Sequence, residues 1–270
     1  MITAAFWLSS CDAPPAPPPF VPLESETISP TIPPILPTET VRPKPLDTGW
    51  ESLEEGMARR VIRIVDEVDA EVDRIVILRL DPTLYHFDVA YRPGEAQTLA
   101  EWSEETGALI TMNGGFFTAE YDATGLTVVD GEASGWSYEY GGMVQIIDGV
   151  ARVRSLAAEP YQVGEPIDAG LQAFPILVHP DGSGYTQEST NRARRTVIAQ
   201  DHNGQIFLIV TARSNFTLST LSDYLRASDL NLKVALNLDG ATSTGLILTD
   251  PYTEIPAFVL LPIVLTVNRR

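Results

Sequence analysis

Two short stretches concentrate the residue types that do chemistry in this chain. The first is LNLDGATSTG, residues 236–245. Its tail, Ala241-Thr242-Ser243-Thr244-Gly245, lies one residue away from the G-x-S-x-G elbow that presents a nucleophilic serine between a strand and a helix. An elbow serine needs a helix after it and, in the usual hydrolase order, a later histidine. After Ser243 the chain runs TGLILTDPYTEIP, which reads as strand and turn, and the three histidines, His86, His179 and His202, all come earlier. His202 sits in DHNGQ, where Asn203-Gly204 marks a hairpin turn; His86 falls inside a strand candidate, and His179 precedes Pro180. The serine reading is disfavoured, which turns attention to Asp239 in the same stretch.

The second stretch is ALITMNGGFF, residues 108–117, and it repeats the design of VALNLDGATS: an apolar strand runs into an asparagine and then glycine. Asn113-Gly114-Gly115 closes one strand and Asn237-Leu238-Asp239-Gly240 the other. Glycines at a strand end let a ligand approach the backbone and meet its N–H groups, while Asn and Asp side chains supply directed polar contacts. Metal chemistry has less support. The chain has no H-E-x-x-H and no cysteine pair, so zinc spacing is absent, and the acidic DPYTE turn reads as well as solvated turn residues as it does as a calcium loop. No metal site and no cofactor are expected.

The elements that must position these stretches occupy most of the chain. Its 270 residues are 44% hydrophobic, enough for one substantial core. Lys and Arg total 18 against 36 Asp and Glu, and the resulting charge of −18 repels a phosphate backbone, so nucleic acid is not an expected partner. One cysteine, Cys11, allows no internal disulfide. The opening MITAAFWLSSC resembles a bacterial lipobox, which predicts a lipid-modified Cys11 and an exported, cell-envelope lipoprotein whose membrane contact runs only through that anchor. Ala13 to Pro45 hold twelve of the 21 prolines and no glycine, the composition of an extended tether. The expected organisation is a signal remnant over 1–11, a disordered proline-rich linker over 12–50 and one domain over 51–270.

Within that domain β-branched residues recur at strand spacing from Val61 onward. Strands are expected at 74–80, 84–91, 108–112, 125–129, 143–147, 174–178, 196–200, 206–211 and 233–238, and a buried strand within the apolar run 258–267. One helix is expected over TLAEWSEETG, with Leu99, Trp102 and Thr106 on one face and Gly107 as its C-cap, and a second from about Thr217 to Leu230. Many strands with two helices and short connections predict an α+β fold: a single domain with a mixed β-sheet and few helices.

Taken in order, MNGGFF (112–117), QAFPILV (172–178), RRTVIA (194–199), TARS (211–214) and NLDGATST (237–244) resemble the marks of the phosphodiester glycosidase family over roughly Arg74 to Asn268. The chain departs from the family pattern at Ala199 and Ala241, where glycines are usual. The resemblance implies hydrolysis of a sugar linked through its anomeric carbon to a phosphodiester. Asp239 would serve as nucleophile or general base, and Arg195, with Arg213, would hold the departing phosphate. Asn113, as a further catalytic residue, and Asn237 would bond sugar hydroxyls or phosphate; Gly114, Gly115 and Gly240 would offer backbone N–H groups, and Thr242, Ser243 and Thr244 would contact phosphate or support the site. A second carboxylate is sought among Glu120, Asp122 and Asp130. The competing expectation is a non-catalytic surface lipoprotein that binds phosphorylated or polymeric glycans on the same scaffold.

Overall fold

The computed structural model describes residues 46–270, and both Cys11 and the proline-rich stretch lie outside them. The described chain is mostly β-structure with two helices, arranged as three sheets. The largest runs in the order Glu51–Glu54, Met57–Val65, Glu71–Leu80, Ile206–Thr211, Thr196–Asp201, Leu232–Asn237, Ile176–Val178. A second holds Glu132–Ser134, Thr127–Val129, Ala169–Ala173, Gly142–Ile147 and Val150–Ser155, and a third Tyr252–Ile255, Leu246–Thr249, Ile110–Asn113, Ile263–Arg269 and Tyr85–Tyr91.

Strand alternation builds the core. In the seven-stranded sheet Val76, Leu78, Ile198, Leu208, Val210, Val234 and Leu236 point one way, into a core shared with Phe87, Met112, Val144, Leu171 and Leu265 of the other two sheets. Their neighbours Ile75, Ile77, Val197, Phe207, Ile209 and Ala235 point the other way, and helix α2 (Leu218–Ala227) covers them with Leu221 and Leu225. Helix α1 (Leu99–Thr106) starts at a capping box between Thr98 and Glu101 and ends at Gly107, whose φ of 60° is the left-handed conformation expected of a C-cap glycine. It packs Leu99 and Trp102 on Ile247, Leu261 and Val264.

Three expectations are corrected. The strand ladders of the described sheets are all antiparallel, so no sheet is mixed and the class is mostly β; α1 joins Tyr85–Tyr91 to Ile110–Asn113 and α2 joins Ile206–Thr211 to Leu232–Asn237, and in each case an antiparallel strand of the same sheet lies between the two that the helix connects. The final apolar run becomes strand only from Ile263. Pro262 has no N–H to give a ladder, and Phe258, Val259 and Leu260 before it are exposed in a loop that hangs from Thr242 through a Phe258 N–H bond of 2.7 Å. Helix α2 stops at Ala227, three residues before Leu230, where Ser228 turns to extended backbone. Ordered contacts also begin before the first expected strand, since Asp47 pairs with Arg60 and Trp50 packs against Phe207. Among the described residues no helix is long and apolar enough to cross a membrane.

Candidate active site

The two asparagine-glycine stretches meet where the seven-stranded sheet abuts the sheet containing Ile110–Asn113. Asn113 closes its strand, is 0% exposed, and joins both sheets. Its Oδ1 accepts from the Thr196 hydroxyl (2.8 Å) and the Gly245 N–H (3.0 Å), and its Nδ2 donates to the Asp239 carbonyl at 2.7 Å. The Asp239 N–H in turn donates to the Gly114 carbonyl at 3.2 Å. Gly114 is needed for this approach, because a Cβ there would lie 2.6 Å from the Ile263 side chain. Residues 126 positions apart are thus locked together before any ligand arrives.

Asp239 itself is half-buried, its Oδ1 accepting the Gly240 N–H at 2.8 Å and its carboxylate taking a hydrogen bond from Ser243. Burial outweighs these two bonds and raises its pKa above the ordinary aspartate value. The loop continues through Ala241, whose N–H bonds the Arg194 carbonyl (2.9 Å) and whose φ is 55°, the left-handed region where the family's glycine is at ease. Thr242 is exposed, Ser243 is buried against Asp239, and Thr244 is buried on the Thr196 hydroxyl at 3.1 Å.

Several residues read from sequence as ligand contacts are engaged elsewhere. Asn113 has both ends of its amide occupied by the protein, its Nδ2 on the Asp239 carbonyl and its Oδ1 on Thr196 and Gly245. The Gly114 N–H is spent on the Ile263 carbonyl and the Gly240 N–H on the Asp239 carboxylate. Gly115 packs beside the Gln172 carbonyl. Arg195 is 8% exposed and donates to the main-chain carbonyls of Asn191 (2.7 Å) and Phe216 (3.2 Å). Those bonds tie it to the loop before α2, and burial lowers its pKa. Arg213 is exposed; its N–H, with that of Asn215, is held by the buried Asp73 carboxylate at 2.7 and 3.1 Å. Glu120 and Asp122 lie in the exposed turn after Phe117, and Asp130 in an exposed hairpin turn with φ 50°.

Two features escaped the sequence. Asn237 donates to the Phe174 carbonyl at 3.1 Å, and Phe174 carries an aromatic wall: Phe116 at 4.8 Å, Tyr138 at 5.4 Å and Tyr140 at 5.5 Å between ring centres. Gln172 clamps that wall by accepting the Tyr138 N–H (2.6 Å) and donating to Ser137 (3.2 Å). Phe116 and Phe174 lie in the MNGGFF and QAFPILV stretches, and the pattern GWSYEYGG, aromatics between glycines, carries Tyr138 and Tyr140. The other feature is Arg194, in the shadow of Arg195. It is 5% exposed, donates from Nη2 to the Pro256 carbonyl at 2.8 Å, and lies 4.5 Å from the centre of the Phe258 ring. A half-buried carboxylate with a raised pKa, an aromatic wall and a set of arginines, 192, 194, 195 and 213, therefore share one end of the large sheet.

A family model described as phosphodiester glycosidase matches residues 106–258. Among solved structures, the catalytic domain of zebrafish N-acetylglucosamine-1-phosphodiester alpha-N-acetylglucosaminidase, auto-inhibited by its pro-peptide, is similar with a TM-score of 0.63 and 17% identity, over 82% of this chain and 86% of that one. A hypothetical protein from Synechocystis aligns at 0.55 and 16% identity, over 80% and 62% of the two chains. A Burkholderia pseudomallei K96243 protein described as exported aligns at 0.51 and 12% identity, over 73% and 74%. At these identities the structural likeness speaks for the fold. No curated protein sequence matches the chain. The family match spans more than half of the residues and includes the Asn113 and Asp239 stretches, and the chain belongs to the phosphodiester glycosidase family.

Proposed function

We propose that the chain hydrolyses the glycosidic bond of a sugar-1-phosphodiester, with Asp239 as the carboxylate that serves the anomeric carbon. The observation that carries this reading is the environment of Asp239: a half-buried carboxylate, its loop fixed by Asn113 and Gly114, its pKa raised by burial. Desolvation strengthens its field at a developing oxocarbenium ion, whether it attacks directly or deprotonates water. The aromatic wall of Phe116, Tyr138, Tyr140 and Phe174 offers apolar faces to a sugar ring. A phosphodiester leaves as an anion and needs cationic stabilisation more than a strong general acid. Arg213 presents an exposed guanidinium at the same sheet end, and Arg195 positions the loops beside it through Asn191 and Phe216.

The test is a panel of sugar-1-phosphodiesters assayed with the wild type and Asp239→Asn. Turnover by the wild type of at least one member, lost by about 10² or more in the variant while its circular dichroism is unchanged, is the expected result. Wild-type turnover retained by Asp239→Asn would overturn the mechanism. Binding without turnover across the panel would assign the chain to non-catalytic glycan recognition instead. We further propose, from the lipobox-like LSSC ending at Cys11, that the domain is exported and acylated there. Mass spectrometry of the membrane fraction of a bacterial host should find diacylated Cys11, and an unmodified thiol would refute it.

A further inference from the structure

We propose that Arg194 is a concealed anion-holding group, its guanidinium taking a phosphoryl oxyanion at the Asp239 loop once the Phe258 side chain swings aside. The identity of that oxyanion as the substrate's phosphate rests on the proposed hydrolysis of a sugar-1-phosphodiester; the anion site itself does not.

Arg194 is 5% exposed, yet its Nε and Nη1 are buried with no hydrogen-bond partner, and Nη2 has a main-chain carbonyl as its partner. Among the described residues no carboxylate lies within ion-pair distance of it. Buried donors left unsatisfied are costly, and a buried unpaired charge more so. A leucine or methionine would fill the same space without that cost. A guanidinium whose donors are empty in the unliganded protein is chemically matched to an oxyanion, which would supply charge-assisted hydrogen bonds to both.

Its position joins it to the candidate site. The Arg194 carbonyl accepts the Ala241 N–H, a Cβ on Gly240 would come within 3.0 Å of that same carbonyl, and the loop bearing Phe258 hangs from Thr242. Arg194 therefore lies between the loop that carries Asp239 and the 256–258 loop. The cover is light. Phe258 is 67% exposed, lies over the guanidinium in a cation–π contact, and leads into exposed Val259 and Leu260. A contact of that kind at an exposed ring is weak, so an anion with two donors to satisfy can displace it.

Calorimetric titration of the full-length protein with inorganic phosphate tests the proposal without any need for turnover. Phe258→Ala, a surface change, should bind phosphate about threefold more tightly, the loss of a weak cation–π contact. Arg194→Met should weaken binding at least tenfold, and Arg194→Lys, which restores charge without the planar fork, should fall between. Asp239→Asn should bind phosphate no worse than the wild type. Phosphate affinity unchanged in both Phe258→Ala and Arg194→Lys would overturn the proposal even if Arg194→Met proved unfolded. If no sugar-1-phosphodiester is turned over but the phosphate pattern holds, the anion site stands and the hydrolytic reading falls.

Discussion

The burial of Asp239 costs stability when the carboxylate is ionised. Burial raises its pKa, so the folded chain binds the proton more tightly than the unfolded chain, and the ionised residue destabilises the fold at neutral pH. That destabilisation is present above the folded pKa and disappears as pH falls below the ordinary aspartate range. Asp239→Asn should therefore melt higher than the wild type at pH 7, with the difference closing toward pH 3, as thermal scans across pH would record. An equal gain at both ends would mean that charge is not its source. Ala241, two residues on, is a second local cost. Its φ of 55° suits glycine, and nothing about the loop's hydrogen bonds requires its methyl group. Ala241→Gly should raise the unfolding free energy by about 0.5–1 kcal/mol in urea, the relieved strain being partly offset by a more flexible unfolded chain.

The strand ends depend on Asn113 more than on any ligand contact. It satisfies Thr196, Gly245 and Asp239 at once, and so ties the large sheet to the sheet of Ile110–Asn113 and Leu246–Thr249. Asn113→Ala leaves the Gly245 N–H and the Asp239 carbonyl unpartnered around a new cavity, and should cost about 3–4 kcal/mol in chemical denaturation. At a temperature where the variant still folds, turnover should fall through kcat with KM little changed, because the Asp239 loop is misplaced while the aromatic wall and Arg213 remain. A pure rise in KM would indicate that Asn113 touches substrate after all. The asparagine's spacing before glycine was visible in the sequence, but its role was not. A side chain that caps strands from two sheets looks, in one dimension, the same as one that reaches for a sugar.

Over the whole molecule the formal charge is −18, while Arg192, Arg194, Arg195 and Arg213 gather at one end of the large sheet. On the proposed function, an anionic substrate would approach against the long-range field and be held by the short-range one. Raising ionic strength from about 0.01 to 0.15 M shortens the screening length from about 30 to 8 Å, which removes the first effect before the second. For a sugar-1-phosphodiester kcat/KM should rise over that range, and for a neutral aryl glycoside it should stay flat. A steep fall for the phosphodiester would mean that the arginines govern the approach as well as the bound state.

Strand periodicity, the Thr98 and Gly107 signals of α1 and the hairpin at Asn203-Gly204 were legible in the sequence because each is a local preference of a few residues. So was the pairing of the Asn113 and Asp239 stretches, through two similar strand ends and the family resemblance. The strands Val150–Ser155 and Ala169–Ala173 were not, since alternating charge in one and small residues in the other hide the apolar period until the core selects a face. Which of two adjacent arginines meets the Asp239 loop was equally hidden. Neighbouring side chains at a strand end leave on opposite sides, and only the packing of α2 on one face and of the 256–258 loop on the other sets Arg195 against the Phe216 carbonyl and Arg194 against the Pro256 carbonyl.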